Sequence, residues 1–252
     1  MKMNDVMKQN RRRLLQATGA AAASLVLGGL PLAARAAGEA AGKMRIGIIG
    51  SGKVGGTVGE LWVKAGHDVM FSSLDLEHDK ALAAQLGAGA RAGTSREAAA
   101  FGEVLFIAVP YSALPQVGRD LGDALKGKIV LDASNPIPGR DGDMAIEARA
   151  KGTGVASPQF LPGARLVRAF NCVGYTSMKS EAHRAGEKLG IPLAADDAAA
   201  LAVAVRLVED AGFEPVAVGG LARAKDFDAG TPIFGKPMSA AEVRRILGIK
   251  SQ

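Results

Sequence analysis

The residues best suited to chemistry in this chain of 252 are the glycines of Gly50-Ser51-Gly52-Lys53-Val54-Gly55. They stand at the first, third and sixth places of the segment, after an apolar run (Met44–Ile49) and before a run with helical periodicity (Lys53–Ala65). Strand, glycine turn, helix is the setting in which this pattern binds a dinucleotide. Gly50 would permit the tight turn, Gly52 would leave no Cβ in the way of a pyrophosphate, and Gly55 would let the helix lie close to the sheet. A phosphate placed there meets unpartnered N–H groups and the positive end of the helix dipole. The alternative is a purely structural turn.

The tip of the next strand decides between NAD and NADP, because an acidic residue there holds the ribose 2′-hydroxyl of NAD. Here the chain reads Phe71-Ser72-Ser73-Leu74, and the first carboxylate, Asp75, comes two or three residues late. Ser72 and Ser73 are therefore expected around a 2′-phosphate, and NADP(H) is the expected cofactor. Two later strand ends, Ala108-Val109-Pro110-Tyr111 and Asp132-Ala133-Ser134-Asn135-Pro136, should open on the same crevice. Ser134 and Asn135 are candidates for its nicotinamide side, whereas Pro110 and Pro136 could simply end strands. Asn171 is a further polar residue at a strand end. Cys172, the only cysteine, has no histidine in a partner position and is expected in the core. His67, His78 and His183 are too scattered for a metal cluster, and His183 is expected to be solvated. No catalytic residue stands out; Tyr111 and Lys225 are the only proton donors available for an imine or carbonyl substrate.

The elements that must position these residues alternate. Strands are expected at Met44–Ile49, Asp68–Ser72, Ala90–Ala92, Glu103–Val109 and Lys128–Asp132, with helices at Lys53–Ala65, Leu76–Leu86, Ser95–Ala100 and Ser112–Leu125. This is the pattern of an α/β, doubly wound, mostly parallel Rossmann-type sheet. Asn135–Gly163, rich in Gly, Pro and charge, reads as a long loop. Beyond it the C-terminal half is more elaborate, with strands at Arg165–Phe170, Ile191–Ala194 and Glu214–Val218 and helices at Ala198–Ala211 and Ser239–Leu247. Gly219–Phe234 could close over the site, form a surface loop or serve as a dimer contact.

Aromatic residues are only 4% of the chain, so the core must come from Ala, Val, Leu and Ile. The net charge of +6 suggests an anionic partner until it is located: residues 1–36 hold five of the six positive charges. A nucleic-acid function is thereby disfavoured. The same 36 residues contain Arg11-Arg12-Arg13-Leu14-Leu15, an apolar run from Ala17 to Ala34 and the small-x-small site Ala34-Arg35-Ala36. They are read as a twin-arginine export signal, cleaved after Ala36, which implies the export machinery as a partner and a periplasmic location; the alternative is an uncleaved anchor. The expected organisation is signal 1–36, linker 37–43 and oxidoreductase domain 44–252.

Taken together, Ile46–Gly59, Ser72–Ser73, Val109–Tyr111, Val167–Asn171, Ala195–Asp197 and Gly212–Leu221 resemble the NADP-dependent oxidoreductases typified by NADPH:F420 oxidoreductase. Pyrroline-5-carboxylate reductases share the N-terminal half, and a related domain occurs in membrane ferric reductases. The resemblance implies pyrophosphate contacts at Gly50, Ser51, Gly52, Lys53, Val54 and Gly55, and 2′-phosphate contacts at Ser72 and Ser73. It also implies that Val109 and Pro110 lie near the nicotinamide and its ribose, and that a flavin-like or deazaflavin-like molecule is the small-molecule redox acceptor. One departure is Leu74, near where the family often carries an arginine. Hydride transfer between stacked rings needs positioning more than reactive side chains, which agrees with the bare site. A cofactor-binding sensor or scaffold without turnover is the rival reading, and a homodimer is compatible with either.

Overall fold

A computed structural model describes residues 42–250, so the expected export signal and most of the linker lie outside the described residues. The first half follows the alternation of the sequence. Strand β1 (Arg45–Ile49) leads into α1 (Lys53–Lys64), β2 (Asp68–Ser72), α2 (Leu76–Leu86), β3 (Ala90–Ala92), α3 (Ser95–Phe101) and β4 (Val104–Ile107). A 3-10 turn at Tyr111–Ala113 then enters α4 (Leu114–Leu121), and β5 (Ile129–Asp132) follows. All four residues of β4 and the last four of β1 are buried. This is expected of parallel strands covered by helices on both faces.

The region read as a loop at Asn135–Gly163 is instead mostly helical: α5 (Pro138–Lys151) and the short α6 (Thr153–Ala156). Its composition was misleading for a local reason. Pro138 sits in the first turn, where its missing N–H costs nothing, and Gly142 takes φ +60° at a kink inside the helix. Beyond the kink, Ala145 and Ala148 are buried. The expected helix Ser112–Leu125 is likewise divided: α4 ends at Gly122, which takes φ +49°, and a 3-10 turn carries the chain to Leu125.

The second half adds β6 (Arg165–Arg168), α7 (Tyr175–Glu181), β7 (Gly190–Ala195), α8 (Ala198–Asp210), β8 (Glu214–Gly219), a 3-10 segment at Leu221–Asp226 and α9 (Ala240–Leu247). The eight strands form one sheet in the order β3-β2-β1-β4-β5-β6-β7-β8. Strands β1 to β6 are parallel; β7 pairs antiparallel with β6, and β8 runs parallel to β7. The expected doubly wound, mostly parallel Rossmann-type sheet is therefore present.

The two halves share a core. Trp62 of α1 packs edge-on against Phe106 at 5.2 Å and Phe170 at 5.8 Å. Its indole N–H donates to the Leu207 carbonyl of α8 at 2.7 Å. Burying an indole requires such a partner, and here the partner comes from the opposite half of the chain.

Candidate functional site

Strand order reverses between β1 and β4, where the chain has run outward to β3 and then returns to the other side of β1. A crevice at the carboxyl ends of the strands opens at such a switch point. Two cavities lie there, of about 540 and 320 Å³, and Ala108, Val109 and Pro110 line both. Their size suits a ligand of dinucleotide dimensions.

The glycine turn forms one wall. Gly50 takes φ +95°, and a Cβ on it would come within 2.7 Å of the Ala108 carbonyl oxygen. The N–H groups of Gly50 and Ser51 donate to Ser72 O at 2.8 and 3.0 Å, which ties the turn to the end of β2. A Cβ on Gly55 would lie 2.0 Å from the Gly50 carbonyl oxygen, whereas one on Gly52 would meet nothing within 4 Å. Gly55 is thus needed by the protein, and Gly52 leaves open space on the crevice side. Gly52 is also the N-cap of α1 and supplies no side-chain cap, and the first turn holds no acidic residue. The helix start keeps its positive end for an anion.

The larger cavity lies on the β2 side, with Ser73, Leu74, Asp75 and Ser95 among its walls. Here one expectation is corrected. Ser72 is fully buried, and its hydroxyl donates to Ile48 O at 2.6 Å, so it is spent inside the sheet and does not face a ribose phosphate. Only Ser73 of the pair lines the cavity. The strand tip also does have a carboxylate. Asp79 projects from α2, fully buried, and accepts hydrogen bonds from the hydroxyls of Ser51 and Ser73, the latter at 2.9 Å. Ser51 therefore has its side chain turned to Asp79 and its N–H to Ser72 O, and it lines neither cavity.

The smaller cavity is lined by Lys53, Val54, Val109, Pro110, Asn135 and Arg140. Lys53 lies 5.3 Å from the ring centre of Tyr175. Asn135 donates from Nδ2 to Asn171 O at 2.7 Å, and the Oδ1 of Asn171 is buried without a partner. Ser134 is buried and is not a wall of either cavity. Arg140, overlooked in the sequence because it sat in the supposed loop, is held by Asp141 at 2.8 Å and by Asn135 O at 2.7 Å. Burial pushes the Asp141 carboxyl up, but hydrogen bonds from Arg140, Ile137 N–H and Ser112 outweigh it and hold the group well below the usual carboxylate range.

Behind this wall lies a fully buried ion pair. Arg168, at the end of β6, donates to Asp132 at the end of β5 (2.5 Å) and to Ser134 O (2.8 Å). Asp132 in turn accepts from Ser134 N–H at 2.8 Å, so the loop carrying Asn135 is fixed from both sides. A pair between the two strand ends left no pattern in the sequence.

The candidate proton donors do not reach the crevice. Tyr111 is fully buried with its hydroxyl 3.3 Å from Ser157 Oγ, and desolvation pushes its pKa up to about 12. Lys225 lines neither cavity and packs beside Gly152. Burial likewise pushes the Cys172 thiol up to about 12, as befits a core residue and not a nucleophile. His183 is exposed. Gly219–Phe234 does not close over the crevice: a Cβ on Gly154 of α6 would come within 1.7 Å of Leu221 O, and Asp228 accepts from Thr153 N–H at 2.8 Å. The segment is seated on α6 instead.

Comparison with known proteins agrees with this architecture. The model of the family "NADP oxidoreductase coenzyme F420-dependent" matches residues 45–136. No curated protein matches the chain. Among solved structures, a protein of Sinorhizobium meliloti is 22% identical with a TM-score of 0.66, over 81% of this chain and 98% of its own. A candidate F420-dependent NADP reductase of Arthrobacter sp. FB24 is 21% identical with a TM-score of 0.59, over 72% and 87%. An imine reductase of Myxococcus stipitatus, in complex with NAD+, is 17% identical with a TM-score of 0.55, over 82% of this chain and 62% of that one. These likenesses share the fold, and from β1 through the loop after β5 the chain is similar to a family of F420-dependent NADP oxidoreductases.

Proposed function

We propose that the protein is an oxidoreductase that passes hydride between a nicotinamide dinucleotide, with NADP(H) supported by the family match, and a flat flavin-like or deazaflavin-like acceptor. The observation that carries this reading is the crevice over β1 and β4, with an uncapped helix start on one wall and, in the smaller cavity, Lys53, Asn135 and Arg140 as the polar side chains among the described lining residues. The backbone of Gly50–Gly55 would hold the pyrophosphate, Ser73 would meet the adenosine ribose, and Val109, Pro110 and Asn135 would border the nicotinamide. When bound, the dinucleotide supplies the hydride, and the chain's own task is to align two rings and exclude water. Lys53 and Arg140 favour an acceptor with negative charge near the smaller cavity.

Tyr111 and Lys225, the donors expected for imine or carbonyl reduction, stand away from the crevice, so that such a reaction would have to draw its proton from Lys53. We further propose that residues 1–36 direct the folded protein to the periplasm, with the dinucleotide already loaded. The test is to purify the protein from periplasm, sequence its N-terminus, and follow NADPH oxidation with flavin, deazaflavin and ferric chelate. The expected result is an N-terminus at Ala37 and turnover with a flavin-like acceptor. Binding without turnover on any acceptor would replace the enzyme reading with that of a cofactor-holding sensor or scaffold.

A further inference from the structure

The two cavities of the crevice differ in charge. The smaller has Lys53 and Arg140 in its wall, whereas the charged residues lining the larger are Asp75 and Asp120, with no lysine, arginine or histidine among the described residues that form it. The larger lies over the tip of β2, where the adenosine end of a dinucleotide belongs once its pyrophosphate rests on Gly50–Gly55. The basic residues nearest along the chain are not part of its lining: His78 and Arg96 are exposed outside it, Lys80 is engaged with Glu77 at 2.8 Å, Arg119 donates to Gln116 Oε1 at 2.6 Å, and Lys53 lines the smaller cavity instead.

The hydrogen-bond polarity at the tip points the same way. A hydroxyl has a single proton. That of Ser73 is drawn to the buried carboxylate of Asp79 at 2.9 Å, while Asp75 N–H donates to Ser73 Oγ at 3.1 Å. What Ser73 offers the cavity is therefore a lone pair, which accepts from a ribose hydroxyl and repels a phosphate oxygen. Ser72 cannot substitute, since its proton goes to Ile48 O. A 2′-phosphate would carry nearly two negative charges into a space bordered by carboxylates, with no cationic side chain among the described residues that line it.

We infer that the adenosine end of this site is built for an unphosphorylated ribose, so that NAD(H) binds at least as tightly as NADP(H), with the Ser73–Asp79 pair as the specificity determinant. The inference rests on reading the crevice as a dinucleotide site. Calorimetric titration of the full chain with NADH and with NADPH tests both. The expected result is a dissociation constant for NADH equal to or below that for NADPH. Replacing the exposed Leu74 by arginine (Leu74→Arg) should then shift the ratio of the two dissociation constants at least tenfold toward NADPH. A wild-type protein that binds NADPH tenfold more tightly than NADH would overturn the inference and leave the dinucleotide reading intact. Binding of neither would overturn both. A Leu74→Arg ratio equal to that of the wild type would show that missing positive charge is not what sets the preference.

Discussion

At the scale of single residues, the three glycines of the turn have different owners. Gly50 and Gly55 serve the protein, one through its positive φ and the other through a close approach between helix and turn. Gly52, where a Cβ would meet nothing within 4 Å, is not needed by the protein and is assigned to the dinucleotide in the function proposed above. Gly52→Ala should therefore fold with a stability within about 1 kcal/mol of the wild type, the usual scale of an N-cap change, yet lose at least tenfold in dinucleotide affinity. Gly55→Ala should instead lose several degrees of melting temperature, because its methyl would sit on the Gly50 carbonyl. Thermal melts and titrations on the same samples separate the two, and an equal effect of both substitutions on melting would contradict the assignment. Such roles are legible in sequence because only glycine meets them. Asp79 was not legible. It is one of two acidic residues on a solvated helix, and only the fold turns it inward onto Ser51 and Ser73.

Among the elements, α5 shows how local composition can mislead. Helical periodicity in its second part was masked by Pro138, Gly139 and Gly142, which mark a first turn and a kink. Asp141 is what makes that turn stable: it accepts Ile137 N–H at 2.9 Å and Ser112 Oγ at 2.9 Å while holding Arg140. Its folded-state pKa is depressed, so its stabilisation is present at neutral pH and is lost as pH falls through and below the ordinary carboxylate range, roughly 4. Asp141→Asn should thus melt earlier than the wild type at pH 7, and the gap should narrow below about pH 4. A gap that widened in acid would refute this origin. The strands, in contrast, were readable to within one or two residues at each end in the first half, since a buried parallel strand is a short continuous apolar run. The break of the helix after Tyr111 and the existence of α7 were not, because both depend on where neighbouring elements stop the chain.

At the scale of the whole molecule, the family likeness ends at residue 136 but the sheet does not. The Asp132–Arg168 pair joins β5 to β6 across that limit, with both side chains fully buried. Arg168→Met would leave Asp132 without its counter-ion in the interior, a loss of about 3–5 kcal/mol. Urea denaturation would measure it, and a loss below about 1 kcal/mol would mean that water reaches the pair. Trp62 spans the same junction, with its ring among Phe106 and Phe170 and its N–H on Leu207. Because it is the only tryptophan in the chain, the emission of the protein comes from one known place, the seam between the β1–β5 half and the C-terminal strands. The molecule thus carries an intrinsic optical gauge of whether its two halves are closed on one another, with no label to add and no second fluorophore of its kind to subtract.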